Sequence, residues 1–216
     1  MTAPPPLLAL QGKYRLLRQL ADAGALEQYL GATRGANRHL AVIKRVPLSL
    51  AKNKPTVGAF LDEARTTARL RHPAIVQVLE VGDDGGTVAA AFEHVFGADA
   101  EQLLRAEQVA RRALPIPVVL AITAAVLDAL GHAHQAVDDG GAPLRLVHRD
   151  VSARNVILGY DGAIKLTGFG MAKHQARSEH TSFGVVRGQL AYVSPEQLKS
   201  GEVDARADLW AVGVLL

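Results

Sequence analysis

Close to Gly97 the apolar residues of this chain change their period. Before it, short apolar runs suited to β-strands are divided by Gly, Asn and Asp; after it, alanine- and leucine-rich stretches repeat at helical spacing. One element cannot serve both periods, so the pattern predicts a sheet-bearing part followed by a mainly helical part. The fold class expected from this is α+β.

In the first part, Tyr14-Arg-Leu-Leu17, Gln28-Tyr-Leu30 and Leu40-Ala-Val-Ile43 predict three antiparallel strands, with turns at Ala23-Gly24 and Arg34-Gly-Ala-Asn37. Between Pro55 and Arg71, Phe60, Leu61, Ala64, Thr67, Ala68 and Leu70 recur at helical spacing, and His72-Pro73 ends that helix. Ile75 to Val81 and Thr87 to His94 add two strands around the hairpin turn Gly82-Asp-Asp-Gly-Gly86. In the second part, Asp99 to Arg112 and Pro117 to Ala136 predict helices. The latter carries Val118, Ile122, Ala125, Val126, Ala129 and Leu130 on one stripe. Residues 1–11, with Pro4-Pro5-Pro6, read as a loose leader that the prolines keep out of helix and sheet. Residues 12–94 form the β-rich unit and 95–216 the helical one, with no internal repeat.

Composition removes several classes of function. An apolar share of 49% over 216 residues is enough for a substantial core. Absence of cysteine excludes disulfides and thiolate metal sites, and with no signal-peptide pattern at the start a cytoplasmic location is expected. The longest apolar run, Leu209 to Leu216, is far shorter than the roughly 20 residues that span a bilayer, so no membrane segment is expected. A net charge of +3 with scattered basic residues, and only 5% aromatics, argue against a nucleic-acid partner.

The segment Leu146-Val-His-Arg-Asp-Val-Ser-Ala-Arg-Asn-Val-Ile-Leu158 resembles the catalytic loop of protein kinases. It stands in ordered company: Ala41-Val-Ile-Lys44 is similar to the V-A-I-K strand, Glu63 lies on the following helix, and Tyr192-Val-Ser-Pro-Glu196 resembles the A-P-E signature. The chain is thereby similar to bacterial Ser/Thr protein kinases over about residues 12 to 216. That resemblance implies a protein kinase-like bilobal fold, with a small antiparallel β lobe bearing one long helix and a mainly helical second lobe. Kinase domains of this kind continue for several helices beyond a segment such as Asp208-Leu-Trp-Ala-Val-Gly213, so an incomplete second lobe and an exposed apolar stub from Leu209 to Leu216 are expected.

The same resemblance implies roles residue by residue. Lys44 would hold the α- and β-phosphates of ATP, with Glu63 as its ion-pair partner; Asp150 would accept the substrate hydroxyl proton and Asn155 would help bind Mg2+. The ATP-pocket equivalents are Lys44, Ala21, Ala23, Gly24, Val42, Glu93, Val95 and Ile157. Ser178, Thr181 and Ser182 fall in the activation segment, where Arg149 would pair with a phosphate. Asp208 would hydrogen-bond the backbone of the His148-Arg-Asp150 turn, and Phe169 would be core.

Several positions depart from the family pattern. Gly168 stands where the D-F-G aspartate would bind magnesium, and glycine has no side chain to do so. The phosphate-covering loop reads Ala21, Ala23 and Leu26 at its three glycine positions, with Asp22 adding negative charge and Gln28 replacing the apolar adenine cap. Ser152 stands in place of a phosphate-steadying lysine, and Gln189 in place of a threonine that contacts the catalytic aspartate. The expectation is weak or absent binding of ATP and Mg2+, hence a pseudokinase acting as a regulatory or scaffolding binding module. Its partner would be a protein, an active kinase being one candidate. The alternative is a weakly active Ser/Thr protein kinase. His132 and His134, two apart on a helix, face different ways and read as packing and surface residues.

Overall fold

Six short strands and one helix account for most of the first ninety or so residues. The computed structural model describes residues 8–23, 26–35, 37–169, 190–199 and 202–216. Two units are present: Met1–Arg69 with Gln77–His94, and Leu70–Val76 with Val95–Leu216.

The first unit is an antiparallel sheet of β1 (Leu8–Ala9), β2 (Tyr14–Ala23), β3 (Leu26–Thr33), β4 (Leu40–Arg45), β5 (Val78–Asp83) and β6 (Val88–Glu93), in the order β1-β2-β3-β4-β6-β5. The helix α1 (Lys54–Ala68) follows β4 in the chain and packs on β5 and β6. It begins where Asn53 caps it by accepting the Thr56 N–H, with Pro55 in its first turn, a position that needs no amide hydrogen. Tyr14, Leu16, Ala41, Ile43, Ala89 and Ala91 form the buried face of the sheet. The β5–β6 turn carries Gly85 and Gly86 at φ +64° and +95°, torsions that glycine adopts freely.

Two sequence expectations are corrected here. The leader is not loose throughout: Leu8 and Ala9 pair with Arg15 and Tyr14 of β2, and Leu10 donates its amide to Asp84 at 2.7 Å. Ala9 and Leu10 are buried, so apolar burial just after the proline run outweighs the strand-breaking signal of those prolines. The strand expected to open at Ile75 begins instead at Val78. Ile75 bridges Leu166, and the Val76 amide donates to the Leu166 carbonyl at 2.9 Å. Leu70, Ala74 and Ile75 bury themselves in the core of the second unit, which claims the segment.

The second unit holds a small sheet, β7 (Gly97–Asp99), β8 (Val156–Gly159) and β9 (Ile164–Leu166), with helices α2 (Ala100–Val109), α3 (Ile116–His134), α4 (Pro195–Leu198) and α5 (Ala205–Leu215). Asp99 ends β7 and caps α2 by accepting the Gln102 N–H at 2.8 Å. Gly97 is required where β7 crosses β8, because a Cβ there would lie 2.0 Å from the Leu158 carbonyl oxygen. The stripe of α3 is buried from Ile122 through Val126, Ala129 and Leu130 to Ala133, against Leu166, Val151 and Val212. Val118 does not join it: it is exposed with Ile116 and Leu120, since α3 packs on β9 and α5 through its later turns. By length and composition alone, α3 could cross a membrane, although its inner stripe is the centre of this core. In α5, Ala207, Ala211 and Val212 are buried while Leu209, Trp210, Val214 and Leu216 are exposed.

Candidate functional site

Asp208, in the first turn of α5, has no exposed surface, and a buried carboxylate is tolerable only with donors around it. Three are supplied. Oδ2 accepts the His148 N–H at 2.9 Å and bonds His134 Nε2 at 2.8 Å; Oδ1 accepts the Arg149 N–H at 2.7 Å. These bonds hold Arg149 at φ +66°, a left-handed torsion that a side-chain-bearing residue avoids unless its surroundings impose it. His148 is buried beside them, ring to ring with Phe169 at 4.5 Å. Its Nδ1 accepts the Asp150 N–H at 3.2 Å, which leaves the proton on Nε2, positioned to donate to the Thr167 carbonyl at 3.0 Å. Burial favours this neutral ring and pushes its pKa below the ordinary 6.5, against the raising pull of Asp208 and Asp150.

The turn that follows, Ala153–Asn155, is a single 3-10 turn leading into β8. It brings Asn155 back over Asp150: the Asn155 amide nitrogen donates to the Asp150 carbonyl at 2.6 Å and to its carboxylate at 2.9 Å. Arg154 donates to Glu101 of α2 through Nε and Nη2, which holds the Glu101 carboxyl below its usual range. Ser152 is buried, and its hydroxyl has no partner among the described residues. Gly168 follows β9 at φ +90°, and a Cβ built on it would meet the Asn155 side chain at 3.1–3.2 Å. The second unit therefore brings Asp150, Asn155 and Gly168 together.

The first unit carries the remaining positions. Lys44 lies on β4, largely buried, its ammonium 4.7 Å from the centre of the Phe92 ring. Val42 pairs with Phe92 across the sheet, and the Glu93 carboxylate accepts the Gln77 N–H at 3.2 Å. Ala21 and Ala23 end β2, opposite Gln28 and Leu26, so the segment in place of a glycine-rich loop is strand up to its tip. Asp22 pairs with Glu27 in the strand register there. Gly24 lies outside the described residues, as do the side chains of Ala21, Ala23 and Glu63, and as do Ser178, Thr181, Ser182 and Gln189. In the second unit Val95 is half-buried, and Ile157 on β8 pairs with Asp99 and Lys165.

Two residues of this site carry no motif signal. His134, expected at the surface or in packing, instead bonds the buried Asp208, 74 residues away. Gln197 lies just past the Ser194-Pro-Glu196 signature; its Nε2 donates to the Arg149 carbonyl at 2.9 Å while its Oε1 receives Ser194. The Ser194-to-Gln197 spacing signals a helix cap, but not the distant contact.

A magnesium ion needs several oxygen ligands. Gly168 offers no side-chain oxygen, and Asn155, whose amide nitrogen donates to Asp150, offers only its Oδ1. The two positions together supply one side-chain oxygen, too few by themselves to hold the ion.

A six-stranded antiparallel unit with one helix, and a helical unit that holds His148-Arg-Asp150 on a buried aspartate, define a protein-kinase fold. The protein kinase domain family matches residues 23–216, and the chain belongs to it. Among curated relatives, tyrosine-protein kinase MasK of Myxococcus xanthus is 41% identical over 213 residues, which cover 98% of this chain and 33% of that protein. Serine/threonine-protein kinase PknL of Mycobacterium tuberculosis is 34% identical, covering 96% of this chain and 49% of that protein. The kinase domain of PknI from Mycobacterium tuberculosis superimposes with a TM-score of 0.69 at 29% identity, over 98% of this chain and 74% of that one. The chain thus spans between a third and a half of the length of these two curated relatives.

Proposed function

We propose that this domain is a pseudokinase, a regulatory or scaffolding module in signalling that acts by binding a protein partner, an active kinase being the first candidate. The observation that carries this reading is Gly168, at φ +90° and facing Asn155, where the metal-binding carboxylate of the family would stand. Loss of a metal that neutralises phosphate charge removes several kcal/mol of transition-state stabilisation, about tenfold in rate for each 1.36 kcal/mol. The strand-like segment at Ala21–Ala23 adds to it, because it lacks the glycines that bring backbone amides close to phosphates. A cytoplasmic location belongs to this proposal, supported by the absence of cysteine.

A second reading is favoured by a specific observation. Asn155 is bonded to both the carbonyl and the carboxylate of Asp150, and the relatives cited above are named as kinases of tyrosine and of serine or threonine. A weakly active kinase would transfer the ATP γ-phosphate to one of those hydroxyls. A thermal-shift titration with ATP, with and without Mg2+, separates the two. The pseudokinase reading expects no Mg2+-dependent rise in melting temperature; a rise that saturates with ATP only when Mg2+ is present supports the kinase instead.

A further inference from the structure

The peptide unit joining Arg149 to Asp150 is gripped at both ends. Its N–H, that of Asp150, donates to His148 Nδ1 at 3.2 Å; its carbonyl, that of Arg149, accepts from Gln197 Nε2 at 2.9 Å. The peptide unit before it is held through the Arg149 N–H by Asp208 at 2.7 Å. Arg149 sits between these grips at φ +66°, a torsion that persists only where neighbours over-determine it.

The orientation of Gln197 follows from its other end. Oε1 accepts from the Ser194 amide at 3.3 Å and from the Ser194 hydroxyl at 3.2 Å, so the amide nitrogen has to face Arg149. Ser194 and Gln197 together make the capping box of α4. A capping box asks only for an acceptor at this position, which glutamine and glutamate both provide. The contact with Arg149, 48 residues earlier, asks for a donor, which glutamate lacks.

We infer that Gln197 is a positioning residue for Asp150: by holding the Arg149 carbonyl it fixes the peptide plane from which Asp150 hangs, and ties that plane to the capped start of α4. The bonds concern the loop itself, so the inference stands apart from whether phosphate is transferred.

The test compares Gln197→Glu and Gln197→Ala in the full chain, by melting temperature and by amide hydrogen exchange resolved at Asp150 and at core residues such as Leu130. Gln197→Glu keeps the cap acceptor, so it is expected to melt within about 2 °C of the parent. Its Asp150 amide is expected to exchange about tenfold faster while Leu130 is unchanged. Gln197→Ala removes both contacts and is expected to show the same local increase with a lower melting temperature. Parent-like exchange at Asp150 in either folded variant overturns the inference. An equal increase at Asp150 and Leu130 also overturns it, since Gln197 would then serve only the cap.

Discussion

The loop from His148 to Asn155 and the strand end at Gly168 touch each other and have diverged from the kinase pattern to different degrees. In the loop, Asp150 is held by backbone and side-chain bonds from His148 and Asn155, and Asp208 anchors the turn before it. At Gly168 the carboxylate is gone while the neighbouring Phe169 stays buried against His148. The difference follows from what each position does in the fold. In the loop His148, Asp150, Val151 and Asn155 pack in the core or satisfy polar groups of the turn, so losing them would destabilise the unit whether or not it transfers phosphate. A metal-ligand carboxylate contributes little to folding, and at φ +90° glycine is the less strained residue. Retention of Asp150 and Asn155 is therefore weaker support for chemistry than loss of the aspartate is against it.

The largest effect that can break this comparison is expected at Asp208. Asp208→Ala leaves the His148 and Arg149 amides and the His134 ring without their acceptor, and should cost about 3 kcal/mol or more in urea denaturation. A cost under about 1 kcal/mol would show that the loop is not retained for stability. Gly168→Asp should destabilise by about 1–2 kcal/mol, through the left-handed torsion and the crowding of Asn155. On the pseudokinase reading proposed above, this variant still shows no phosphotransfer, because the segment from Ala21 to Gln28 is unchanged. Robust autophosphorylation by this single variant would overturn the weight given to that segment.

The third effect is one of pH. The folded His148 has a pKa depressed below 6.5 by burial, so below that pH the unfolded chain takes up a proton that the folded chain refuses. The stability linked to His148 is complete above pH 6.5 and declines as pH falls toward the folded value, by up to about 1.4 kcal/mol per pH unit. A His148→Gln chain should show a shallower decline between pH 7 and 5. A smaller change of opposite sign is expected for Ser152→Ala, which removes a buried hydroxyl without a partner among the described residues and should stabilise by roughly 1 kcal/mol. Last, Glu107→Gln breaks a solvent-exposed pair with Arg112, far from both regions, and should leave the melting temperature within error.

Much of this was legible in the chain. Strands β2 to β6 and the helices α1 to α3 follow from apolar period and turn residues, most of their bounds within a few positions of those observed, because those signals are local. Ala9 and Leu10 were hidden by the prolines before them, and Ile75 by its resemblance to the start of β5; in each case burial against distant residues decided the outcome. The positions of Asp150, Asn155 and Gly168 came from ordered motifs, and the substitution at Gly168 needs no structure to be seen. His134 and Gln197 could not be read in the same way. Their polar ends meet partners 74 and 48 residues away, and neither contact leaves a local pattern.

Alone, then, the sequence determined the family, the α+β order of elements and the missing carboxylate, since each is written in residue type, spacing or period. Only the tertiary structure decided which polar groups hold the Asp150 turn, that Arg149 is locked at φ +66°, and that Asn155 turns its amide to Asp150 beside Gly168. Those outcomes depend on directed hydrogen bonds between residues far apart in the chain, and direction exists only once the backbone has been placed.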